Sequence, residues 1–306
     1  MVRFIIQRLV VTIPTILIVI TIAWGLVRLA PGNFYTGEKA LPKAVEANIR
    51  EKYGLNEPWH KQYRRMLGQI VRGDFGTSLT YTGQSVNRII ARSLPVSATI
   101  GLLAYLLALV VGITAGSIAA VKQNSIWDYL CMALAMIGIS VPNFVLGPIL
   151  VLVFSLILYW LPPSHWGGFP SWSLVLPVIT LAAIYTAYIA RLTRAGMLEV
   201  LRSDYIRTAR AKGLSETQIV LRHALRGGLL PVVSFTGPAL AFLLTGTVVV
   251  ERIFVLPGLG NYFIQASLSR DEPLIIGIVA FIAITLLFMN LLVDVAYAYL
   301  DPRIKY

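Results

Sequence analysis

The sequence predicts an all-α integral membrane protein with six transmembrane helices, on three observations. Hydrophobic side chains make up 57% of the 306 residues and charged ones 13%, against about 25% charged in soluble proteins. Mean hydropathy is +0.75. The apolar residues also fall into runs free of Asp, Glu, Lys and Arg, at 9–27, 93–121, 129–190, 227–250 and 273–293. A helix needs roughly 20 apolar residues to cross the hydrocarbon. Four runs therefore hold one span each, and 129–190 holds two.

The first span, 9–29, follows Arg3 and Arg8 as a signal peptide would. Its apolar run exceeds a signal's core of roughly 7–15 residues, and Leu29-Ala-Pro-Gly32 has no small-x-small cleavage pattern. It is read as a retained helix. The second span is expected at 97–121. The third, 129–159, is too long for the bilayer at about 1.5 Å per residue. Pro142 and Pro148 inside it predict a kinked, tilted or protruding helix, with a seven-segment topology as the alternative. The remaining spans are expected at 176–192, 229–250 and 273–295. Cys131, the single cysteine, excludes an internal disulfide and a multi-cysteine metal site. It is read as helix packing.

The chain thus divides into 1–30 (cytoplasmic N-terminus and helix 1), a helical extracytoplasmic segment 31–95, and a core 96–306 with helices 2–6 and a cytoplasmic loop 193–228. In 31–95, Pro42 opens a helical pattern with Val45, Ile49 and Tyr53 on one face, ended by Gly54. Asn56 and Pro58 start a second, with Trp59, Tyr63, Met66, Leu67 and Ile70, ended by Gly73. Ser85 caps a third with Val86, Ile89 and Ile90. These faces are expected to bury against each other and the outer ends of the spans, as a structural cap or as a docking surface for an external partner.

Basic residues divide evenly, thirteen to each side of the membrane. The positive-inside rule weighs loops of about 60 residues or fewer, and 31–95 exceeds that. Discounting it places both termini in the cytoplasm. The net charge of +12 is spread over both faces without an aromatic-interleaved basic patch, so lipid headgroups explain it better than nucleic acid.

The chain has no Gly-Lys dipeptide and so no nucleotide-binding P-loop. His60, His165 and His223 are scattered without ligand-like spacing, and no catalytic triad or metalloprotease motif occurs. No span carries a carboxylate, Lys or Arg near its middle, where ion-coupled transporters need a relay. Glu251 and Asp294, at span ends, are read as interface residues. The chain is therefore not expected to be an enzyme or to bind a cofactor or metal. If it drives transport, the energy must come from a partner.

The stretch 202–231 is a basic, helix-prone island between two uncharged runs. Ser203 or Asp204 can cap a helix through Lys212, and Gly213 ends it by taking a left-handed conformation. Ser215 caps a second helix to about Leu225. Gly227-Gly228 is expected to break it, and Pro231 enters the next span. Such a knuckle reads as a hairpin lying on headgroups or as a docking site for another protein.

Tyr205-Ile-Arg-Thr-Ala-Arg-Ala-Lys-Gly213 resembles the cytoplasmic "EAA" loop of binding-protein-dependent ABC importer permeases, in the form used by the peptide branch. With Gly213 aligned on the family's Gly, the Glu-Ala-Ala triplet falls on Arg207-Thr208-Ala209, and Leu230-Pro231 arrives later than in the general pattern. Arg28–Gly32, Tyr53–Pro58, Gly73–Ser78, Glu251–Gly260 and Asp301–Tyr306 resemble the B-type permease of oligopeptide and dipeptide systems, the oligopeptide branch most closely, although residue 33 is Asn where many relatives carry Asp. The resemblance implies a type I ABC importer permease in the bacterial inner membrane. Its expected partners are a second permease, two cytoplasmic ATPases that hold ATP and Mg, an extracytoplasmic peptide-binding protein, peptide substrate and lipid, with no nucleic acid. Gly213 would seat in an ATPase groove, with Tyr205, Arg207, Thr208, Ala209, Arg210 and Lys212 as contacts. Thr180, Tyr185, Tyr188 and Asn290 are candidates to line the path, with interhelical hydrogen bonding as the alternative role of each. Import of dipeptides or of another small solute such as nickel, and an ATP-independent channel or secondary transporter, are the alternative functions.

Overall fold

In hydrocarbon every backbone N–H and C=O must be bonded within its own segment, so uncharged runs of Leu, Ile, Val and Ala become helices. The computed structural model of the chain describes residues 2–29, 51, 54, 56–244 and 247–300. Among these the regular elements are helical: α1 (Val2–Leu29), α2 (Trp59–Val71), α3 (Val86–Val121), α4 (Ile126–Ser140), α5 (Asn143–Ile157), α6 (Val175–Leu201), α7 (Asp204–Ala211), α8 (Glu216–Gly228), α9 (Leu230–Leu244), α10 (Val248–Ile253), α11 (Leu259–Ser269) and α12 (Glu272–Leu300). The expected helix with Pro42, Val45, Ile49 and Tyr53, residue 33, the ending Asp301–Tyr306 and the side chain of Asp294 lie outside the described residues.

Among the described residues four helices, α1, α3, α6 and α12, are long and apolar enough to cross a membrane. The bent pairs α4–α5 and α8–α9 bring the number to six when each counts as one span. The six-span architecture holds, with corrections to individual spans. The third is not one kinked helix: α4 and α5 meet at 105°. Pro142 bars Val141 from helical geometry, and Val141 is extended at φ −99°, ψ 113°. Pro148, by contrast, is accommodated inside α5, which passes into a π-helical stretch at Val151–Ile157. The fifth span is shorter than expected, because Thr247 is extended and Val248–Ile253 is a separate helix.

Two other boundaries move outward. The short helix expected after Ser85 and the second span are one 36-residue helix, α3, with Pro95 inside it. Ser85 still caps it, its Oγ accepting the Arg88 amide at 3.3 Å. The fourth span continues past 192 to Leu201, since no Gly-Pro signal interrupts helix there and Arg191 and Arg194 are good helix formers.

The chain forms two compact units, Met1–Pro95 with Pro257–Leu287, and Val96–Leu256 with Phe288–Tyr306. In the first unit α2 lays Met66, Leu67 and Ile70 against Ile20 of α1 and Ile276 and Ala280 of α12. The apolar face predicted for α2 is thus partly buried against α1 and α12, while Trp59 at its start stays 61% exposed. Arg28, at the end of α1, donates to Glu272 at 2.9 Å and to Gln62. Trp24 meets Tyr63 at 5.2 Å and Trp59 at 6.4 Å between ring centres. The Gly73–Ser78 stretch is a loop fastened to the start of α12. Asp271, fully buried, accepts from Ser78 Oγ, the amides of Leu79 (3.1 Å) and Thr80 (3.0 Å), and the Leu274 amide (3.2 Å) at the head of α12. A buried carboxylate is tolerated when so many donors surround it.

The second unit packs Ile100, Tyr105, Leu181, Ile189, Leu243 and Phe254 into its main core. Apolar side chains gain nothing by leaving lipid for one another, so close backbone approach matters more here than burial. A Cβ added at Gly138 of α4 would lie 2.1 Å from the Ala183 carbonyl oxygen of α6. The same two helices share a bidentate ion pair: Arg194 Nε and Nη2 donate to Asp128 Oδ1 and Oδ2, both at 2.8 Å. Asp128 sits in the first turn of α4 and Arg194 in the last third of α6, beyond the uncharged run 129–190. Glu251, expected at an interface, is instead buried and accepts from Ser97 Oγ at 2.7 Å.

Candidate functional site

The knuckle forms as two short helices joined at Gly213. Ser203 occupies the cap position of α7 but does not cap with its side chain; its Oγ donates to the Val200 carbonyl at 2.6 Å, fastening α7 to the end of α6. After Lys212 the chain turns at Gly213, φ +81°. Its amide donates to the Arg210 carbonyl at 2.9 Å, and that of Leu214 to Ala209 at 3.3 Å. Positive φ is the conformation that only Gly adopts freely, so the predicted stop is present. Ser215 then caps α8 with a full capping box: its Oγ accepts the Gln218 amide (3.4 Å) and Gln218 Oε1 accepts the Ser215 amide (3.3 Å). Gln218 stands at the N3 position that a capping box requires.

α8 stops at Gly227-Gly228 as expected: after a π-helical turn at Ile219–Ala224 it ends at Gly228, and the chain bends by 52° at Leu229. The glycines also serve contact: a Cβ on Gly196 of α6 would lie 2.3 Å from the Gly228 carbonyl oxygen. The two backbones touch.

Beneath the knuckle, Ile206 and Ala209 of α7 and Ile219 and Ala224 of α8 bury against Met197 of α6 and Ala120 of α3. Ala209, expected as a partner contact, therefore faces inward at 7% exposure. Tyr205, Arg207, Thr208, Arg210, Lys212 and Gly213 are exposed on the outside. This arrangement disfavours the hairpin lying on headgroups, which would need that apolar face for lipid. Arg210 Nε and Nη2 donate to Glu216 Oε1 (2.7 Å) and Oε2 (3.2 Å), clamping α7 to α8 across the turn. That hydrogen-bonded guanidinium holds the Glu216 carboxyl below the usual carboxylate range. Arg207 pairs only loosely with Asp204, at 3.4 Å and in full solvent, which leaves it available. We expect Arg210→Glu and Glu216→Arg each to loosen the turn and the double swap to restore it, read as proteolytic nicking between 211 and 215. Equal nicking in all three would show the clamp to be idle.

The four path candidates fare differently. Thr180 is fully buried and its Oγ donates to the Leu176 carbonyl at 2.8 Å, so it lines nothing. Tyr185 and Tyr188 are brought together by Phe235 of α9, with ring centres 6.2 and 5.7 Å from it. Tyr188 is 38% exposed, with the Arg191 guanidinium 5.9 Å from its ring. Asn290 is half-buried on α12. Phe235 is not legible in the sequence, since a lone Phe in an apolar run carries no signal of its own.

Two family models cover the chain. Residues 112–306 match the binding-protein-dependent transport system inner membrane component, and residues 1–100 match the N-terminal membrane component of the same systems. The chain belongs to this permease family. Among curated permeases it is 49% identical over 306 residues to the oligopeptide transport system permease protein OppB of Escherichia coli, covering all of both chains. It is 46% identical to OppB of Haemophilus influenzae over the same span, again covering all of both. The dipeptide transport system permease protein DppB of Bacillus subtilis is 42% identical over 305 residues, covering 100% of this chain and 98% of that one. Among solved structures, the inward-facing MetNI methionine ABC transporter superposes with a TM-score of 0.56 at 17% identity, covering 70% of this chain and 96% of the matched one. That likeness shows the fold alone.

Proposed function

We propose that the chain is the membrane-spanning permease of an ATP-driven, binding-protein-dependent importer of oligopeptides, forming half of the translocation path. The observation that carries this is the knuckle. Its apolar face is spent inside the protein, against α3 and α6, while its polar face and a glycine turn point outward. A surface so built suits a protein partner that delivers work. With no P-loop in the chain, that partner is one of two cytoplasmic ATPases, which hold ATP and Mg; the chain itself holds no cofactor and catalyses nothing. A second permease completes the path, and an extracytoplasmic binding protein delivers the peptide. Both termini lie in the cytoplasm, the knuckle with them, and segment 31–95 lies outside. ATP binding shifts the permeases between inward- and outward-facing states, a two-state equilibrium biased by the ATPases.

Proteoliposomes carrying the full assembly are expected to accumulate a radiolabelled oligopeptide only when ATP is supplied on the ATPase side. Uptake by this chain alone, without ATPases, would overturn the proposal in favour of a channel or secondary transporter. Dipeptide import is a second reading, favoured by the 42% identity to a dipeptide permease. Competition between unlabelled dipeptide and labelled oligopeptide separates the two.

A further inference from the structure

The loop between α5 and α6 takes no part in the coupling surface, and its composition is unusual. Residues 158–172 hold three tryptophans, a tyrosine and a phenylalanine, but no Asp, Glu, Lys or Arg. The loop is two-faced and firmly held. Leu161 and Trp166 pack inward on the main core of the second unit. Ser164 Oγ donates to the Phe254 carbonyl, and Ser173 Oγ donates to the His165 carbonyl at 2.8 Å. The Trp160 and Leu161 amides donate to the Phe154 carbonyl at 2.9 and 3.2 Å. The outward face presents Tyr159 (82% exposed), Trp160, Phe169 and Trp172 (76% exposed).

A rigid loop that displays large aromatic side chains must have something to cover them. The covering phase can be argued from two observations. Tyr159 and Trp160 follow directly in sequence on the exposed apolar side chains Leu152, Leu156, Ile157 and Leu158 at the end of α5, a helix that with α4 is apolar enough to cross a membrane. The loop also lacks any charge, whereas a surface that docks a soluble protein has a polar, solvated rim around its apolar centre. Uncharged Trp and Tyr at the ends of apolar helices is the composition of the membrane–water boundary, where an amphipathic ring is satisfied at both ends.

We infer that loop 158–172 is a lipid-interface anchor: Tyr159, Trp160, Phe169 and Trp172 sit among phospholipid headgroups and fix the depth of the α5 and α6 ends that they adjoin. The partner is the bilayer itself. That this is the outer leaflet rests on the orientation proposed above; that the loop contacts lipid does not. The anchor holds one end of α6 while the other end, near Leu201, carries the knuckle. A shift of the knuckle would then turn α6 about a fixed end.

The test uses the full chain in phospholipid nanodiscs, on a Cys131→Ala background that leaves no other cysteine. Tyr159→Cys and Trp172→Cys are labelled with an environment-sensitive fluorophore, and Thr217→Cys on exposed α8 serves as the aqueous control. The expected result is a blue-shifted emission at 159 and 172. It should be strongly quenched by nitroxide lipids labelled near the headgroup, less by those labelled at the bilayer centre, and little by aqueous iodide. Position 217 should show the reverse. Iodide quenching at 159 and 172 as strong as at 217 overturns the inference. So does a blue shift that arises only when a purified peptide-binding protein is added, since the loop would then be a protein-docking surface. Because depth is read without ATP or peptide, failure here leaves the transport proposal standing, and failure of uptake leaves the anchor standing.

Discussion

Gly213→Val is expected to abolish peptide-stimulated ATP hydrolysis by the assembled importer while leaving the chain inserted in the membrane. Two effects converge at this position. A β-branched residue at φ +81° is a backbone outlier, and a non-glycine residue held in such a region costs about 1–3 kcal/mol. The second effect lies outside the chain. A Cβ at Gly213 meets nothing within 4 Å, so the bare backbone is not required by the protein's own packing. Under the coupling proposal it is required by the ATPase groove. Gly213→Asn separates the two, because Asn tolerates a left-handed conformation yet still adds a side chain. Asn is expected to keep the turn and lose most of the stimulated hydrolysis. Full stimulation in Gly213→Val would remove the turn from the coupling path, and full rescue by Asn would reduce its role to conformation.

The second large effect is expected at Gly196. Alanine there would place Cβ 2.3 Å from the Gly228 carbonyl oxygen, and backbone on a neighbouring helix cannot yield as a side-chain tip does. Overpacking of this kind costs about 1–3 kcal/mol, and it forces α8 off α6 where the knuckle is attached. Gly227→Ala is the comparison, since its nearest obstacle is Val200 Cγ2 at 3.1 Å, the end of a side chain. Thermal unfolding in detergent should show a clear drop in Tm for Gly196→Ala and a smaller one for Gly227→Ala. Equal values would mean that the α6–α8 contact relaxes freely and is not a rigid link.

How much of this could be read beforehand differs from element to element. Ser85, Gly213 and Ser215 act through bonds to residues within a few positions of themselves, so their roles as cap, stop and cap were legible. Gly227-Gly228 marks the end of α8 legibly, but a glycine pair does not show that it also lets another backbone approach. Gly196, thirty-odd residues upstream, is the partner that decides. Likewise Arg210 could be placed on the knuckle, but its bidentate hold on Glu216 depends on how tightly the turn folds back. Thr180 reads as a path candidate from its residue type, but its hydroxyl is spent on the Leu176 carbonyl. Asp271 carried no sequence signal at all, because its donors Ser78, Leu79 and Thr80 arrive from almost two hundred residues away.

By itself, then, the sequence determined the solvent, the number of crossings and the place of the knuckle. Those follow from hydropathy, helix length and turn chemistry, which are local sums over neighbouring residues. The tertiary structure alone decided that the third crossing is two arms at 105°, which knuckle residues face outward, and how the knuckle is joined to α6. These depend on which backbones come within contact distance, and in a membrane, where apolar burial between helices contributes little, that close approach is the interaction that matters.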